Sequence, residues 1–450
     1  MSDWELKFDE LNELAETSQF KKLKSILDEK NEMDVAEFIG QLPHEKALAT
    51  FRILQKDLAS EVFACMDPDE QQEIIRGISD TELNQIIEDL YTDDAVDMIE
   101  EMPANVARRI LRLATPETRA QINQYLKYPE NSAGSIMTSE YVALRATMNV
   151  EQAFSYIRHH GVDKETIYTC YVIDNQRKLI GVITLKDLLM NPYETVISEI
   201  MDDNVIQVTT TEDREDVSQI FTKYDLLALP VVDSENRLVG IVTVDDAVDV
   251  MEQEATEDIQ KMAAMAPSEK PYLKTSVFTL ARNRIVWLMV LMVSSMCTGG
   301  ILSTYEAAFA AVPLLVTFIP MLTDTGGNAG SQASTMIIRS MTLGDIVPRD
   351  ILRVLWKEFR VSLLCGFGLA LVNYIRLVIM YPGQEGICLV VSLSVMGTVI
   401  MSKTIGCTLP IVARCLHLDP TLMASPLITT IVDAASLILY FQIASMLLPL

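Results

Sequence analysis

The stretch Ile285-Val-Trp-Leu-Met-Val-Leu-Met-Val-Ser-Ser-Met-Cys-Thr-Gly-Gly-Ile-Leu-Ser303 holds 19 residues without a charge. As a helix rising 1.5 Å per residue it crosses a hydrocarbon layer of about 30 Å. Further apolar stretches follow at 307–323, at 361–375 extending toward Tyr381, at 386–402, and at 422–450, the last interrupted only by Asp433. Read as core helices of a soluble domain, five such segments need more amphipathic partner sequence than the chain has left. The sequence therefore predicts an all-α transmembrane domain of five helices over 276–450.

Charge divides the chain in two. Of its 450 residues, 36 are Lys or Arg and 62 are Asp or Glu, for a formal charge of −26, yet 49% are hydrophobic. Before Pro271 there are 25 basic and 54 acidic residues, and from Pro271 onward 11 and 8, so the parts carry −29 and +3. That asymmetry excludes a single globular domain and a disordered acidic chain, and a surface so negative repels nucleic-acid phosphate. Arg282 and Arg284 precede the first span, Arg339, Arg349, Arg353, Lys357 and Arg360 lie between the second and third, and Arg414 lies between the fourth and fifth. The other two connections have neither Lys nor Arg. By the positive-inside rule this is a multi-pass protein of the plasma (inner) membrane, with a cytoplasmic N-terminus and an outside C-terminus. The start Met1-Ser-Asp-Trp-Glu-Leu-Lys has no signal-peptide pattern, in keeping with that orientation. Seven scattered cysteines without CxxC or CxxH spacing suggest neither a disulfide framework nor a zinc site.

Upstream, apolar residues recur at helical spacing in short pieces. Examples begin at Asp34, Leu58, Leu83 and Ala95 and end at Pro43, Pro68, Leu90 and Pro103. Helices of two or three turns cannot bury an apolar stripe alone, so residues 1–130 are expected to form an acidic all-α pile, right-angled or superhelical.

A different repeat follows over 131–251. Val172-Ile-Asp174 and Leu179-Ile-Gly-Val-Ile-Thr-Leu-Lys-Asp187 return 59 residues later as Val231-Val-Asp233 and Leu238-Val-Gly-Ile-Val-Thr-Val-Asp-Asp246. Each copy reads as strand, polar turn, strand, helix. The pair resembles tandem CBS modules, α/β units that act as sensors of adenosine nucleotides or other ligands. That resemblance makes Thr184, Asp187, Thr243 and Asp246 candidate nucleotide contacts, with ATP as the implied cofactor. Thr is also a good N-cap and Asp a good first-turn residue, and capping alone accounts for both pairs. Residues 252–275 read as a polar connecting helix with a breaker at its end.

Inside the spans, polar residues are the informative ones, because a carboxylate in hydrocarbon is costly and usually faces a protein interior or a wet path. Asp433 stands in Leu427-Ile-Thr-Thr-Ile-Val-Asp-Ala-Ala-Ser436. In Pro320-Met-Leu-Thr-Asp-Thr-Gly-Gly-Asn-Ala-Gly-Ser-Gln332, Asp324, Asn328 and Gln332 recur every four residues and form one stripe on a helix. An oxygen-only lining without His or Cys suits a hard cation such as Mg²⁺ or Ca²⁺. The alternatives are a structural hydrogen bond at Asp433 and Gly-rich helix packing at Gly326, Gly327 and Gly330.

Four motifs in order, Tyr128-Pro-Glu-Asn-Ser-Ala-Gly134, Glu254-Ala-Thr-Glu-Asp258, Gly326-Gly-Asn-Ala-Gly330 and Ser425-Pro-Leu-Ile-Thr-Thr-Ile-Val-Asp433, resemble the MgtE family of magnesium channels or transporters over essentially the whole chain. The resemblance implies a homodimer with the pore on its twofold axis, Asp433 as the Mg²⁺-binding aspartate and Asn328 as a filter asparagine. It also implies that cytosolic Mg²⁺ closes the pore by binding between the N domain, the CBS modules and the connecting "plug" helix. Carried over by motif, the sensing carboxylates are Asp213, Glu215, Asp225, Asp249, Glu254, Glu257 and Asp258, facing Asp93, Asp94 and Asp97. The implied function is Mg²⁺ import driven by the membrane potential. Two alternatives remain: a membrane-anchored CBS sensor of nucleotide or cation, and a divalent-cation exporter. No P-loop, HExxH motif or nucleophile–base pair points to an enzyme. Lys403 and Arg376 fit no part of this scheme, and either is expected to reach a lipid headgroup by snorkelling.

Overall fold

The computed structural model describes residues 5–268, 272–305, 312–423 and 425–448. The chain forms two compact units, Met1–Met251 and Glu252–Leu450.

The first unit begins with ten helices of 8 to 12 residues, α1 (Glu5–Glu16) through α10 (Pro116–Tyr125). Their stop and start signals are local. Asn31 accepts from the Met33 amide at 3.0 Å, Ser79 and Glu82 form a reciprocal capping box, and Pro68 and Pro116 open their helices. From the third helix on, most pack mainly on the one two places further along, and side-chain ties recur at a similar spacing: Lys24 Nζ to Ile53 O at 2.7 Å, Asn84 Nδ2 to Leu113 O at 2.8 Å, Arg109 Nη2 to Asp80 Oδ1 at 2.7 Å. This is the superhelical pile the short periodic segments predict.

The CBS pair follows as two three-stranded sheets of the same design. In the first, β1 (Ala143–Arg145) runs parallel to β2 (Thr169–Ile173), which is antiparallel to β3 (Leu179–Thr184). In the second, β4 (Val208–Thr209), β5 (Ala228–Val232) and β6 (Leu238–Thr243) repeat that order, and the register slips at the matching place, Val172/Ile173 and Val231/Val232. The copies exchange edges. Thr138 of the first bridges Ile241 of the second, while Asp202 of the second bridges Val182 of the first. A Cβ on Gly181 would strike Met201, and one on Gly240 would strike Met137, so both glycines permit a close crossing. The copies also share an apolar cluster, in which Tyr171, Ile173 and Leu179 of the first meet Ala228, Val232, Leu238 and Ile241 of the second.

The helix α15 (Val244–Met262) begins in the first unit and ends in the second, in a turn with Ala264 at φ +55, where Ser268 hydrogen-bonds back to Gln260 at 2.7 Å. Then come α16 (Val277–Thr304), capped by Ser276, a 3₁₀ turn at Pro313–Phe318, α17 (Ile319–Thr342), α18 (Ile351–Met380), α19 (Glu385–Cys415), a 3₁₀ turn at Pro420–Met423 and α20 (Ser425–Leu447). Among the described residues four helices are long and apolar enough to cross a bilayer: Val277–Thr304, Pro348–Met380, Glu385–Cys415 and Pro420–Leu447.

The second span departs from the expectation of 307–323. Part of that stretch lies outside the described residues, and the long helix there is α17, starting at Ile319 and carrying the whole Gly-rich motif. Hydropathy misplaces it because α17 is held by close packing against α19 and α20 rather than by an apolar surface.

Candidate functional site

Helix α17 has two faces. Gly326, Gly327, Ala329, Gly330, Ala333 and Ser334 are buried, while Asp324, Asn328 and Gln332 are exposed. The glycines serve contact. A Cβ on Gly326 would lie 2.8 Å from Thr398 Cγ2 and from Val432 Cγ1, and 3.0 Å from Ser436 Oγ; one on Gly327 would meet Thr429. The packing reading of the glycines and the polar-stripe reading of the intervening residues both hold, on opposite sides of one helix. A carboxylate and two amides exposed on a helix packed among membrane-crossing helices cannot rest against lipid, so they belong to a polar surface.

Asp433 is half-buried on α20, where Ser436 follows one turn later. Its Oδ1 is buried without a hydrogen-bond partner in the protein, as are Thr398 Oγ1 and Ser402 Oγ on α19 and Ser436 Oγ. Asp324 lies within electrostatic reach of it. Asp433 and the hydroxyls of Thr398, Ser402 and Ser436 thus lie where α17, α19 and α20 meet, with Asp324 in electrostatic reach and the amides of Asn328 and Gln332 on the exposed face of α17. Such a lining suits a hard cation that keeps most of its water. Among the described residues no group of three or more His, Cys, Asp or Glu side chains converges closely enough to hold a metal.

Of the two charges without a place in the sequence scheme, Lys403 is paired inside the protein, while Arg376 stays at the surface and bonds within its own helix. Lys403, only 7% exposed, sets its Nζ 3.9 Å from Glu358 Oε2 on α18, so it does not snorkel to a headgroup. Arg376 is exposed, and its Nη2 donates to Asn373 Oδ1 at 2.9 Å, one turn earlier on the same helix. A neighbouring helix offers Lys403 a counter-charge, which removes any need to reach for water.

In the first unit, α8 (Thr92–Glu101) carries Asp93, Asp94 and Asp97 close to other acids. Burial, followed by the charges of Asp94, Asp246 and Glu165, pushes the Asp93 carboxyl far above its ordinary range. Burial with Asp246 and Asp245 raises Asp94 to about 6, and burial with Asp94 and Glu100 raises Asp97 to about 7. Asp246 is raised to about 6 and Glu165 to about 7, each chiefly by burial. Asp93 Oδ1 and Glu165 Oε2 are buried without a partner. Glu165, and Glu140, which binds Thr92 Oγ1 at 2.9 Å, complete this acidic surface, and no spacing rule could have flagged them. The sequence-predicted residues of the second CBS copy have structural duties: Asp213 caps α14 (Arg214–Tyr224) through the Glu215 amide, and Asp225 ends it in the left-handed conformation at φ +53. Asp246 lies near Asp249.

On the connecting helix, Glu257 Oε1 receives Lys261 Nζ at 2.8 Å, and Asp258 is raised to about 6 by burial and the Asp419 charge. Thr184 and Asp187 form a complete capping box on α12 (Leu185–Met190), and Thr243 donates to Asp246 in the same way. The four candidate nucleotide contacts therefore engage one another.

Family models match in chain order. The MgtE intracellular N domain covers residues 30–131, the CBS domain 133–193 and 197–253, and the MgtE divalent cation transporter domain 319–443. The "Magnesium transporter MgtE" of Thermus thermophilus is 36% identical over 442 residues, 97% of this chain and 98% of that protein; that of Bacillus subtilis is 29% identical over 436 residues, 96% and 95%. Among solved structures, the soluble part of a magnesium transporter matches with a TM-score of 0.53 at 30% identity, over 56% of this chain and 100% of that one. The cytosolic domain of the Mg²⁺ channel MgtE in complex with ATP matches with a TM-score of 0.51 at 37% identity, over 53% and 98%.

Proposed function

The chain belongs to the MgtE family of divalent cation transporters, and from that premise we propose a Mg²⁺ channel whose conduction path runs along the polar stripe of α17 past Asp433. The observation that carries this reading is the two-sided character of α17. Its glycines bring α19 and α20 close, and its Asp324, Asn328 and Gln332 are left for an aqueous path. In a homodimer about a twofold axis each of these side chains occurs twice, so two Asp433 carboxylates attract the ion at one level. Mg²⁺ sheds water reluctantly, so Asp433 acts on it chiefly through its hydration shell while Asn328 replaces part of the hydrogen bonding lost at the constriction. With the N-terminus cytoplasmic, the membrane potential drives the ion inward.

Closure is assigned to the acidic surfaces. Within the first unit Asp93, Asp94, Asp97 and Asp246 repel one another without a counter-ion, and on the connecting helix Glu254, Glu257 and Asp258 repel one another likewise. Mg²⁺ that binds these surfaces more tightly when they are drawn together shifts the population toward the closed form. Asp213, Glu215, Asp225 and Asp249 belong to the same sensing surface. The CBS pair takes ATP, a reading supported by the ATP complex of the 37%-identical cytosolic domain.

Ion flux into vesicles containing the full chain tests the pore. Asp433→Ala abolishes Mg²⁺ entry while the protein keeps its thermal stability, and Asn328→Ala lowers entry on the order of tenfold, equivalent to ~1.4 kcal/mol of lost ion stabilisation. Near-normal entry in Asp433→Ala refutes the assignment. The same vesicles offered Mn²⁺ or Co²⁺ report selectivity.

A further inference from the structure

Lys261 lies in the last turn of α15, is two-thirds or more covered and makes two ion pairs. Its Nζ is 2.8 Å from Glu257 Oε1 on the same helix and 2.8 Å from Asp419 Oδ2, in the connection between α19 and α20. Asp419 is itself built in. Its Oδ1 accepts from the Thr421 amide at 2.9 Å and from Thr421 Oγ1 at 2.5 Å, which fixes the 3₁₀ turn Pro420–Met423 ahead of α20. That turn is tied to the stripe-bearing helix, because Ser334 Oγ of α17 donates to Met423 O at 2.9 Å. A continuous chain of contacts thus runs from the connecting helix through Lys261 and Asp419 to both α17 and α20.

Three acids surround this one ammonium. Asp258 lies next to Asp419 and feels its charge as well as that of Lys261. Burial alone pulls the Lys261 ammonium toward neutrality, but the hydrogen bonds to Asp419 and Glu257 outweigh it and hold it above its ordinary value. Burial pushes Asp419 up, and the bonds from Lys261 and Thr421 more than reverse that. Without the lysine, Glu257, Asp258 and Asp419 would oppose one another across the contact between α15 and the turn.

We propose that Lys261 is a built-in cation that latches the connecting helix onto the turn ahead of α20 when no divalent ion is bound. It leaves the protein partly closed in the absence of Mg²⁺, so that the ion has only the remaining repulsion to overcome. This consequence for gating rests on the channel reading above; the latch itself rests on the contacts alone.

Amide hydrogen exchange on the full chain, in chelator and then in saturating MgCl₂, separates the two. In chelator, Lys261→Met speeds exchange in residues 257–268 and 419–423 about three- to fivefold, the size of a partly exposed ion pair, and Lys261→Arg does not. Added Mg²⁺ restores protection in Lys261→Met, because the freed Glu257 and Asp419 carboxylates remain beside Asp258. Pairing Lys261→Asp with Asp419→Lys recovers protection in chelator that Lys261→Asp alone lacks. In vesicles at low internal Mg²⁺, Lys261→Met raises Mg²⁺ entry by a similar factor. Exchange in Lys261→Met that equals the parent in chelator overturns the latch, as does a charge swap no better than the single reversal. A parent protein that passes no Mg²⁺ overturns the channel reading instead, while the exchange comparison still decides the latch.

Discussion

Gly406 of α19 and Gly330 of α17 meet backbone to backbone: a side chain on Gly406 would collide with the Gly330 carbonyl. Gly330 sits two residues from Asn328, so this crossing sets how the polar stripe is presented. Backbone cannot swing aside as a long side chain does. Gly406→Ala is therefore expected to cost about 1–3 kcal/mol as an overpacked contact and to lower Mg²⁺ entry with it. Gly368→Ala on α18, where a Cβ meets nothing within 4 Å, is expected to leave thermal unfolding in detergent unchanged. Equal melting shifts for the two would mean that the crossing does not constrain α17.

Lys403 and Glu358 yield a prediction with an internal control. Both side chains are mostly buried, 9% and 18% exposed, between α18 and α19. Lys403→Met leaves Glu358 as an uncompensated charge in a poorly solvated place, at a cost of about 3–5 kcal/mol. Adding Glu358→Gln removes the charge and should return most of that stability, since a neutral pair of similar volume is often as stable as the ion pair it replaces. Thermal unfolding of the two variants checks it. A double variant as unstable as the single one would show that Lys403 contributes by packing.

The parts legible in the sequence were those encoded by local spacing. The 59-residue echo of Gly181 in Gly240 gave two sheets of one design, with glycine at the same crossing in each. The four-residue recurrence of Asp324, Asn328 and Gln332 gave a stripe on one helix face. Spacing failed where a partner comes from another element. Nothing near Lys403 in sequence points to Glu358, and nothing near Asp93 points to Glu140 or Glu165, which lie in loops of the first CBS copy. Hydropathy failed at α17 because glycine, threonine, aspartate and asparagine lower the apolar average of a helix whose stability comes from close contact.

The acids of the first unit make stability depend on pH in a direction opposite to the usual carboxylate case. Asp94 and Asp246 are raised from 3.8 to about 6, Asp97 from 3.8 to about 7, and Glu165 from 4.5 to about 7, in each case first by burial. The folded form thus holds protons that the unfolded chain has already released. Below about pH 4 both forms are protonated and these groups add nothing. Between about 4 and 7 the unfolded chain binds fewer protons than the folded one, so stability falls as pH rises, and above 7 the full penalty of the ionised cluster is present. In divalent-free buffer the cooperative unfolding of this unit within the full chain should shift to lower temperature from pH 5 to pH 7.5. Mg²⁺ substitutes for the lost protons and should flatten that slope, most strongly at the upper end. The variant Asp94→Asn/Asp97→Asn should show a shallower slope without Mg²⁺ and a smaller response to it. A melting temperature that rises over this interval in chelator, or a slope that Mg²⁺ leaves untouched, would contradict the assignment of these carboxylates as the ion-sensing surface.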